Sequence, residues 1–270
     1  MNKELIDNRI VVKVGTSTLT HDSGEVNYQS FDKLARVLSD VANMGYEVIL
    51  VSSGAIALGR CKLHLDKTPD QLRLKQAAAA IGQCELMHLY DKFFAEYGKT
   101  VGQILLASED VERPDIKNNL VNTFNSLLEL GVVPIVNEND SVSYAEIEAG
   151  NCGNKLFGDN DTLSAVVANL CSARLLVLFS DIEGLFDSDP RANEGARLYH
   201  EIKDITEDIC RAAGGVGSDR SKGGMVTKLA AAKMNMDRGI DTIITNGQRL
   251  ENLYDVLAGK PVGTLFVGKR

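Results

Sequence analysis

Tryptophan is absent from this chain, prolines number only 5 in 270 residues, and aromatics make up 6%. No basic run interleaved with aromatic side chains occurs, so a stacking or phosphate-tracking surface for nucleic acid is not expected. No apolar run reaches the ~20 residues of a membrane span, and the start Met1-Asn2-Lys3-Glu4-Leu5 lacks the apolar stretch of a signal peptide. Neither a membrane nor a secreted location is expected. The cysteines Cys61, Cys84, Cys152, Cys171 and Cys210 form no C-x-x-C pair and no zinc spacing with histidine. Their odd number points to reduced thiols in the cytoplasm. No Pro/Gly/Ser-rich linker, internal repeat or low-complexity tract divides the chain, which implies one domain, 1–270.

Hydrophobic residues at 44% and charged residues at 24% are the balance of an ordinary globular protein with a sizeable core. The net charge of -8 opposes binding to phosphate backbones over any broad face, though a local pocket of lysines and N–H groups can still take a phosphate.

Short apolar runs alternate with longer amphipathic stretches. Ile10-Val11-Val12, Val48 to Val51, Val132 to Val136, Leu175 to Phe179 and Ile240 to Ile244 are apolar on both faces, as buried parallel strands are. Helical spacing connects Phe31, Leu34, Ala35, Leu38 and Ala42, and recurs across Leu72 to Leu89, Leu120 to Leu130, Leu163 to Leu170 and Met225 to Met236. This alternation predicts an α/β fold with an open, mainly parallel sheet sandwiched between helices. Residues 141–158 and 182–223 fit the alternation poorly and read as lids, hairpins or binding loops.

Ligands of open parallel sheets bind beyond the carboxyl ends of the strands, and here each such end is polar. Lys13-Val14-Gly15-Thr16-Ser17 follows the first strand: an ammonium group, then a glycine that lets backbone N–H groups approach oxygen atoms. A strand-end lysine reaching solvent is the alternative. Ser52-Ser53-Gly54-Ala55 presents donors at a helix start, where simple capping by serine is the plainer account. Asn137-Glu138-Asn139-Asp140 puts four amides or carboxylates directly after a strand, suited to an ammonium group, a metal or a ligand amide, with turn chemistry as the alternative. Gly158-Asp159-Asn160-Asp161-Thr162 leads into a helix that Asp or Thr can cap, and it does not follow the order of a calcium loop. Ser180-Asp181 ends the fourth strand, and Lys222-Gly223-Gly224-Met225-Val226-Thr227-Lys228 is a glycine pair feeding a lysine-bearing helix.

Together these parts suit phosphoryl transfer from ATP, which needs alignment, Mg²⁺ and positive charge around the transferred group. Lys13 and Lys228 would neutralise that charge, and Asp161 would hold both ammonium groups. His21, His64, His88 and His200 are expected in helices or loops away from the strand ends. An acceptor carboxylate needs no base, because it is already ionised at neutral pH. A Walker A loop is missing, and no G-x-G-x-x-G follows the first strand, which argues against a dehydrogenase.

In this order the five segments Lys13 to Ser17, Ser53 to Gly59, Asn137 to Asp140, Gly158 to Ala165 and Gly223 to Lys228 resemble the glutamate 5-kinase family, within the amino acid kinase superfamily. The superfamily shares the lysines and glycines; N-E-N-D and G-D-N-D-T-L-S-A narrow the likeness. The resemblance implies the amino acid kinase fold and ATP-dependent phosphorylation of the L-glutamate side-chain carboxylate to glutamyl 5-phosphate, the first step of proline biosynthesis. It implies that Lys13 and Gly15 meet ATP phosphates and that Ser53, Gly54, Asp140 and Asn160 bind glutamate, with Asp159 close by. Ser180, Asp181 and the segment Lys222, Gly223, Gly224, Met225 and Lys228 would hold the nucleotide, with Mg²⁺ bound through it and no protein metal site. It further implies a substrate lobe over about 1–165, a nucleotide lobe over about 166–270, feedback inhibition by proline, a homodimer or homotetramer, and a form without the C-terminal PUA domain of many members. Ser221-Lys222 departs from the Gly-Thr common there, and the stretch Ala149 to Phe157 is longer than in some relatives. Residues 141–158 are expected to form a glutamate lid that also senses proline. Rival readings are a kinase of the same fold acting on acetylglutamate, aspartate, carbamate or a nucleoside monophosphate, and a non-catalytic amino acid sensor.

Overall fold

The computed structural model describes residues 8–142, 159–214 and 224–270. Its strands are β1 (Arg9–Val14), β2 (Glu47–Ser52), β3 (Val101–Leu106), β4 (Val133–Glu138), β5 (Leu175–Ser180), β6 (Glu201–Ile202), β7 (Asp241–Asn246) and β8 (Thr264–Phe266). They form one sheet in the order β3-β4-β2-β1-β5-β7-β8-β6, parallel throughout except where β8 runs antiparallel to β7. From β1 the chain builds outward through β2 to β3 and β4. It then returns to lay β5 against the other side of β1. That reversal opens a crevice at the carboxyl ends of β1 and β5.

The helices are α1 (Thr16–Leu19), α2 (Tyr28–Asn43), α3 (Ala55–Lys62), α4 (Leu72–Glu96), α5 (Ser108–Glu112), α6 (Pro114–Glu129), α7 (Asn160–Leu170), α8 (Glu207–Ala212), α9 (Met225–Met236) and α10 (Asn252–Leu257). Alternation along the strands divides the core between two faces. Val11, Ile49, Val51, Val136, Leu176 and Leu178 pack with residues of α6, α7 and α9. Their neighbours Ile10, Val12, Leu50, Ile135 and Val177 pack with α2, α4 and α10. The predicted three-layer α/β architecture is therefore the one observed.

Helices α3 and α4 meet backbone to backbone. A Cβ on Gly59 would collide with the Ala78 carbonyl, and one on Gly82 with the Ala55 carbonyl. Two glycines and the alanine run 77–80 thus set this contact, where helix propensity alone would favour neither glycine.

Three strands escaped the sequence pattern. β3 lies at the sheet edge and is half-exposed, so its Gly102 and Gln103 break the expected apolar run. β6 and β8 are two and three residues long, too short to display a period. The stretch 182–223, expected to be irregular, contains β6, α8 and a bridge between Phe186 and Leu198.

Candidate active site

Lys13 has the same parity on β1 as Val11, so it leaves the strand on the α7 and α9 face. Asp161 is the second residue of α7, and Lys228 lies in the first turn of α9. The three converge: Lys13 Nζ is 2.6 Å from Asp161 Oδ1, and Lys228 Nζ is 3.1 Å from Asp161 Oδ2. Thr227 Oγ1 lies 2.8 Å from the same Oδ2 and 2.8 Å from the Gly224 carbonyl. All three charged residues are buried, with relative exposures of 7% for Lys13, 1% for Asp161 and 6% for Lys228.

Burial pulls the Lys13 pKa below the ordinary lysine value, aided by the Lys228 charge and opposed by the Asp161 carboxylate. Burial pushes Asp161 the other way, but the two ammonium groups outweigh it and hold the carboxyl below its ordinary value. Asp161 is thus a carboxylate at neutral pH. Two ammonium groups and one carboxylate leave one net positive charge in a poorly solvated place, which suits an incoming phosphate.

The start of α7 is fixed from within. Asp159 Oδ1 accepts from the N–H groups of Asp161 and Thr162, both at 2.9 Å, and its Oδ2 accepts from Thr162 Oγ1 at 3.1 Å. Asp159 therefore acts as the cap that aims Asp161, and its carboxylate also favours the positive end of the helix.

Asn160 turns away from the charges into a network of neutral groups. Its Nδ2 is 3.0 Å from the Ser52 carbonyl, 2.9 Å from Ser53 Oγ and 3.1 Å from Asn137 Oδ1. Asn137 also accepts from the Glu138 N–H at 2.9 Å and donates to Gln83 Oε1 at 3.0 Å. Behind it, Ser52 Oγ donates to the Ser53 carbonyl, which leaves the buried Tyr90 hydroxyl to donate to Ser52 at 2.7 Å. The chain turns into α3 at Gly54, whose φ of 103° lies where a side chain would be strained. The N-cap of α3 is this glycine and not a serine, so Ser53 Oγ faces Asn160 instead of capping the helix.

Two cavities flank β1. One, of about 430 Å³, is lined by Ala55, Ala79, Ala80, Gln83, Asn139 and Asp140 among others, beside the ends of β2 and β4. The other, of about 480 Å³, is lined by Ser17, Thr18, His21, Ser180, Asp181 and Gly247 among others, beside the ends of β1, β5 and β7. The strand order puts Lys13 between them. Ser180 and Asp181 both line the second cavity, with Ser180 Oγ 3.2 Å from Asp181 Oδ1 and Asp181 Oδ2 3.0 Å from the Arg191 guanidinium. His21 corrects the sequence reading: placed there away from the strand ends, it lines this cavity. A larger cavity of about 820 Å³, beside Arg174, Arg238 and Arg270, opens at the amino ends of β5 and β7, remote from this chemistry.

The structure brings together Lys13, Asp161 and Lys228, and separately Ser53, Asn160 and Asn137. Gly15 is the N-cap of α1, Gly224 is the N-cap of α9, and Met225 is the first residue of α9. Gly158, Ser221, Lys222, Gly223, Cys152 and, of the lid expected over 141–158, residues 143–158 lie outside the described residues. Three residues of these networks carried no individual role in the sequence reading. Asn137 and Thr227 stand inside motifs quoted above but carried no assigned role, whereas Gln83 sits mid-helix without any local signal.

A family model described as the amino acid kinase family matches residues 8–246. The chain is 54% identical over 271 residues to a glutamate 5-kinase of Clostridium perfringens, covering 100% of this chain and 99% of the relative. It is 48% identical to a glutamate 5-kinase of Listeria innocua, covering 97% and 94%. Among solved structures it resembles carbamate kinase from Giardia lamblia bound to AMP-PNP, with a TM-score of 0.69 and 15% identity over 97% of this chain and 99% of the other. UMP kinase from Bacillus anthracis gives a TM-score of 0.62 at 17% identity, covering 97% of each chain. At these identities the two structures speak for the fold alone.

Proposed function

This chain belongs to the amino acid kinase family, and from that membership we propose that it transfers the γ-phosphoryl group of ATP to the side-chain carboxylate of L-glutamate. The product is glutamyl 5-phosphate, the first intermediate on the route to proline. The observation that carries the reaction type is the buried Lys13–Asp161–Lys228 cluster. The choice of glutamate rests on the 54% identity to a glutamate 5-kinase along the whole chain.

The residues divide the work. Lys13 and Lys228 meet the negative charge that spreads over the phosphoryl oxygens, and Asp161 keeps the two ammonium groups from parting. The acceptor carboxylate is already the nucleophile, so no side chain has to remove a proton. Ser53 and Asn160 orient its oxygen atoms, and Asp140 receives the substrate ammonium. Ser180, Asp181, Gly15, Gly224 and Met225, with Lys222 and Gly223, hold the nucleotide. Both Asp161 oxygens face cations. Mg²⁺ would be held through the ATP phosphates, where it would add further positive charge.

The same reading gives the β1–β4 half, about 1–165, to the amino acid and the later half, about 166–270, to the nucleotide. It takes proline as a feedback inhibitor acting through residues 141–158, a homodimer or homotetramer as the assembly, and the cytoplasm as the location. These rest on the motif resemblance, and the cytoplasm also on the four free thiols among the described residues. No helix among those residues is long and apolar enough to cross a membrane.

The test is ADP release from Mg·ATP with L-glutamate, the product trapped as a hydroxamate, beside aspartate and N-acetylglutamate. Turnover confined to glutamate and suppressed by proline is the expected result. Turnover on another acid would overturn the substrate, and ATP binding without any turnover would point to a sensor.

A further inference from the structure

Asp161 grips both lysines, and the carboxylate that does so is itself only 1% exposed, so what restrains it matters. Its backbone is set by the Asp159 cap. Its side chain can still turn, and the two lysines that meet it sit on long flexible stems. Among the described residues one further side chain reaches the carboxylate: Thr227, whose Oγ1 is 2.8 Å from Oδ2.

Where the hydroxyl proton goes follows from the acceptors around it. Thr227 Oγ1 is also 2.8 Å from the Gly224 carbonyl, and a hydroxyl has one proton for the two. The carbonyl can only accept, and it already takes the Thr227 backbone N–H at 3.2 Å. The carboxylate, ionised beside two ammonium groups, also only accepts. Two oxygens at 2.8 Å with no proton between them would repel, and the charged acceptor is the stronger one. The proton is therefore directed to Asp161.

Thr227 and Lys228 are consecutive in the first turn of α9, yet both end on the same oxygen. Oδ2 is thereby held by donors of two kinds. Lys228 carries a charge on a flexible stem, which an arriving phosphate draws toward itself. Thr227 is neutral, short and stiff at its one side-chain torsion, so it stays where the helix puts it. When Lys13 and Lys228 share their charge with the transferred group, the hydroxyl keeps the buried carboxylate from turning after them. We infer that Thr227 is a positioning residue that fixes the Asp161 carboxylate through its hydroxyl and so sets where Lys13 and Lys228 point during transfer. This rests on the phosphoryl-transfer reading above, which by itself gives Thr227 no part.

Thr227→Val removes the hydroxyl and keeps the shape, whereas Thr227→Ser keeps the hydroxyl. The wild type is assayed first with Mg·ATP and L-glutamate, then both variants across pH. For Thr227→Val kcat should fall about 10-fold, with the KM for glutamate and for ATP within about twofold. Thr227→Ser should recover kcat to within about threefold of wild type. The pH profile is a readout that a role confined to the start of α9 would not move. Burial raises the Asp161 pKa, while Lys13 on β1, Lys228 on α9 and the Thr227 hydroxyl bring it below the ordinary value. Asp159, the cap of α7, is the other charged group beside the cluster. Without the hydroxyl the Asp161 pKa rises, so the acid limb of kcat should move to higher pH in Thr227→Val and stay in place in Thr227→Ser. Thr227→Ala decides the same question if the valine variant fails to fold. An unchanged kcat, equal losses in the valine and serine variants, or a fall in kcat with an unmoved acid limb would confine Thr227 to the Gly224 carbonyl and overturn the inference alone. A wild type without turnover on any acid would overturn the reaction reading together with it.

Discussion

Asn160 and Asp161 are neighbours in one helical turn, yet they belong to regions made of different materials. Asp161 anchors a cluster of full charges, while Asn160 anchors a network of neutral amides and hydroxyls. Both regions are mostly buried, so the contrast does not come from solvent. On the proposed reading it comes from what each must do. Charge moves during phosphoryl transfer, and fixed ammonium groups meet it most strongly where water is excluded. Recognition of an amino acid needs direction more than charge, and an amide has a defined donor and acceptor side. A neutral network also leaves the field at the reacting atoms undisturbed.

Lys228→Ala should give the largest effect, because on the proposed reading it sits where charge develops. Turnover should fall roughly 100- to 1000-fold, while nucleotide affinity changes far less. An equal loss in kcat and in ATP binding would assign Lys228 to uniform binding and weaken the contrast.

The pH profile is a smaller and more graded probe of the charged region. On the proposed reading Lys13 acts as an ammonium group, and burial holds its pKa below the ordinary lysine value of 10.5. Activity should therefore decline on the alkaline side before free lysine would titrate. The stability sign runs opposite: burying a charged Lys13 costs stability at lower pH, and that cost is relieved as pH rises between its folded and unfolded pKa values. A profile of kcat/KM for ATP that stays flat beyond about pH 10.5, the ordinary lysine range, would remove Lys13 from the reacting set.

Tyr90→Phe should be the mildest, since its hydroxyl only supports Ser52 from behind. Its loss should cost about 1 to 2 kcal/mol, seen as a drop of a few degrees in Tm, with kinetic constants nearly unchanged. A large rise in the glutamate KM would show that the neutral network transmits strain to the substrate.

Much of the charged region was legible in the sequence. Lys13 lies near the carboxyl end of a strand, Asp161 and Lys228 open helices, and the sheet topology does the rest. The core strands were legible because they are buried on both faces. Edge strand β3 was not, since solvent on one side permits Gly102 and Gln103. The neutral network was legible only in part. Asn137 announced itself at a strand end, but Gln83 lies in the second turn of an alanine-rich stretch, where nothing local separates it from an ordinary surface glutamine. Its meaning comes from Asn137, 54 positions away. Asp159 showed the reverse: its capping role was readable from helix-start chemistry, and it is the role the hydrogen bonds display.

The glycine contact between α3 and α4 bears on how this pocket can change. Gly82 adjoins Gln83 and rests against the Ala55 carbonyl, one residue past Gly54. With main chain against main chain, the helices have no side chain at that point that could shrink or grow to respace them. On the proposed reading, variation in the size of the acid accepted is channelled into single side chains of the cavity wall, such as Ala79, Ala80 or Met87. In a library selected for new substrates, winners should accumulate at those positions, with Gly59 and Gly82 left untouched.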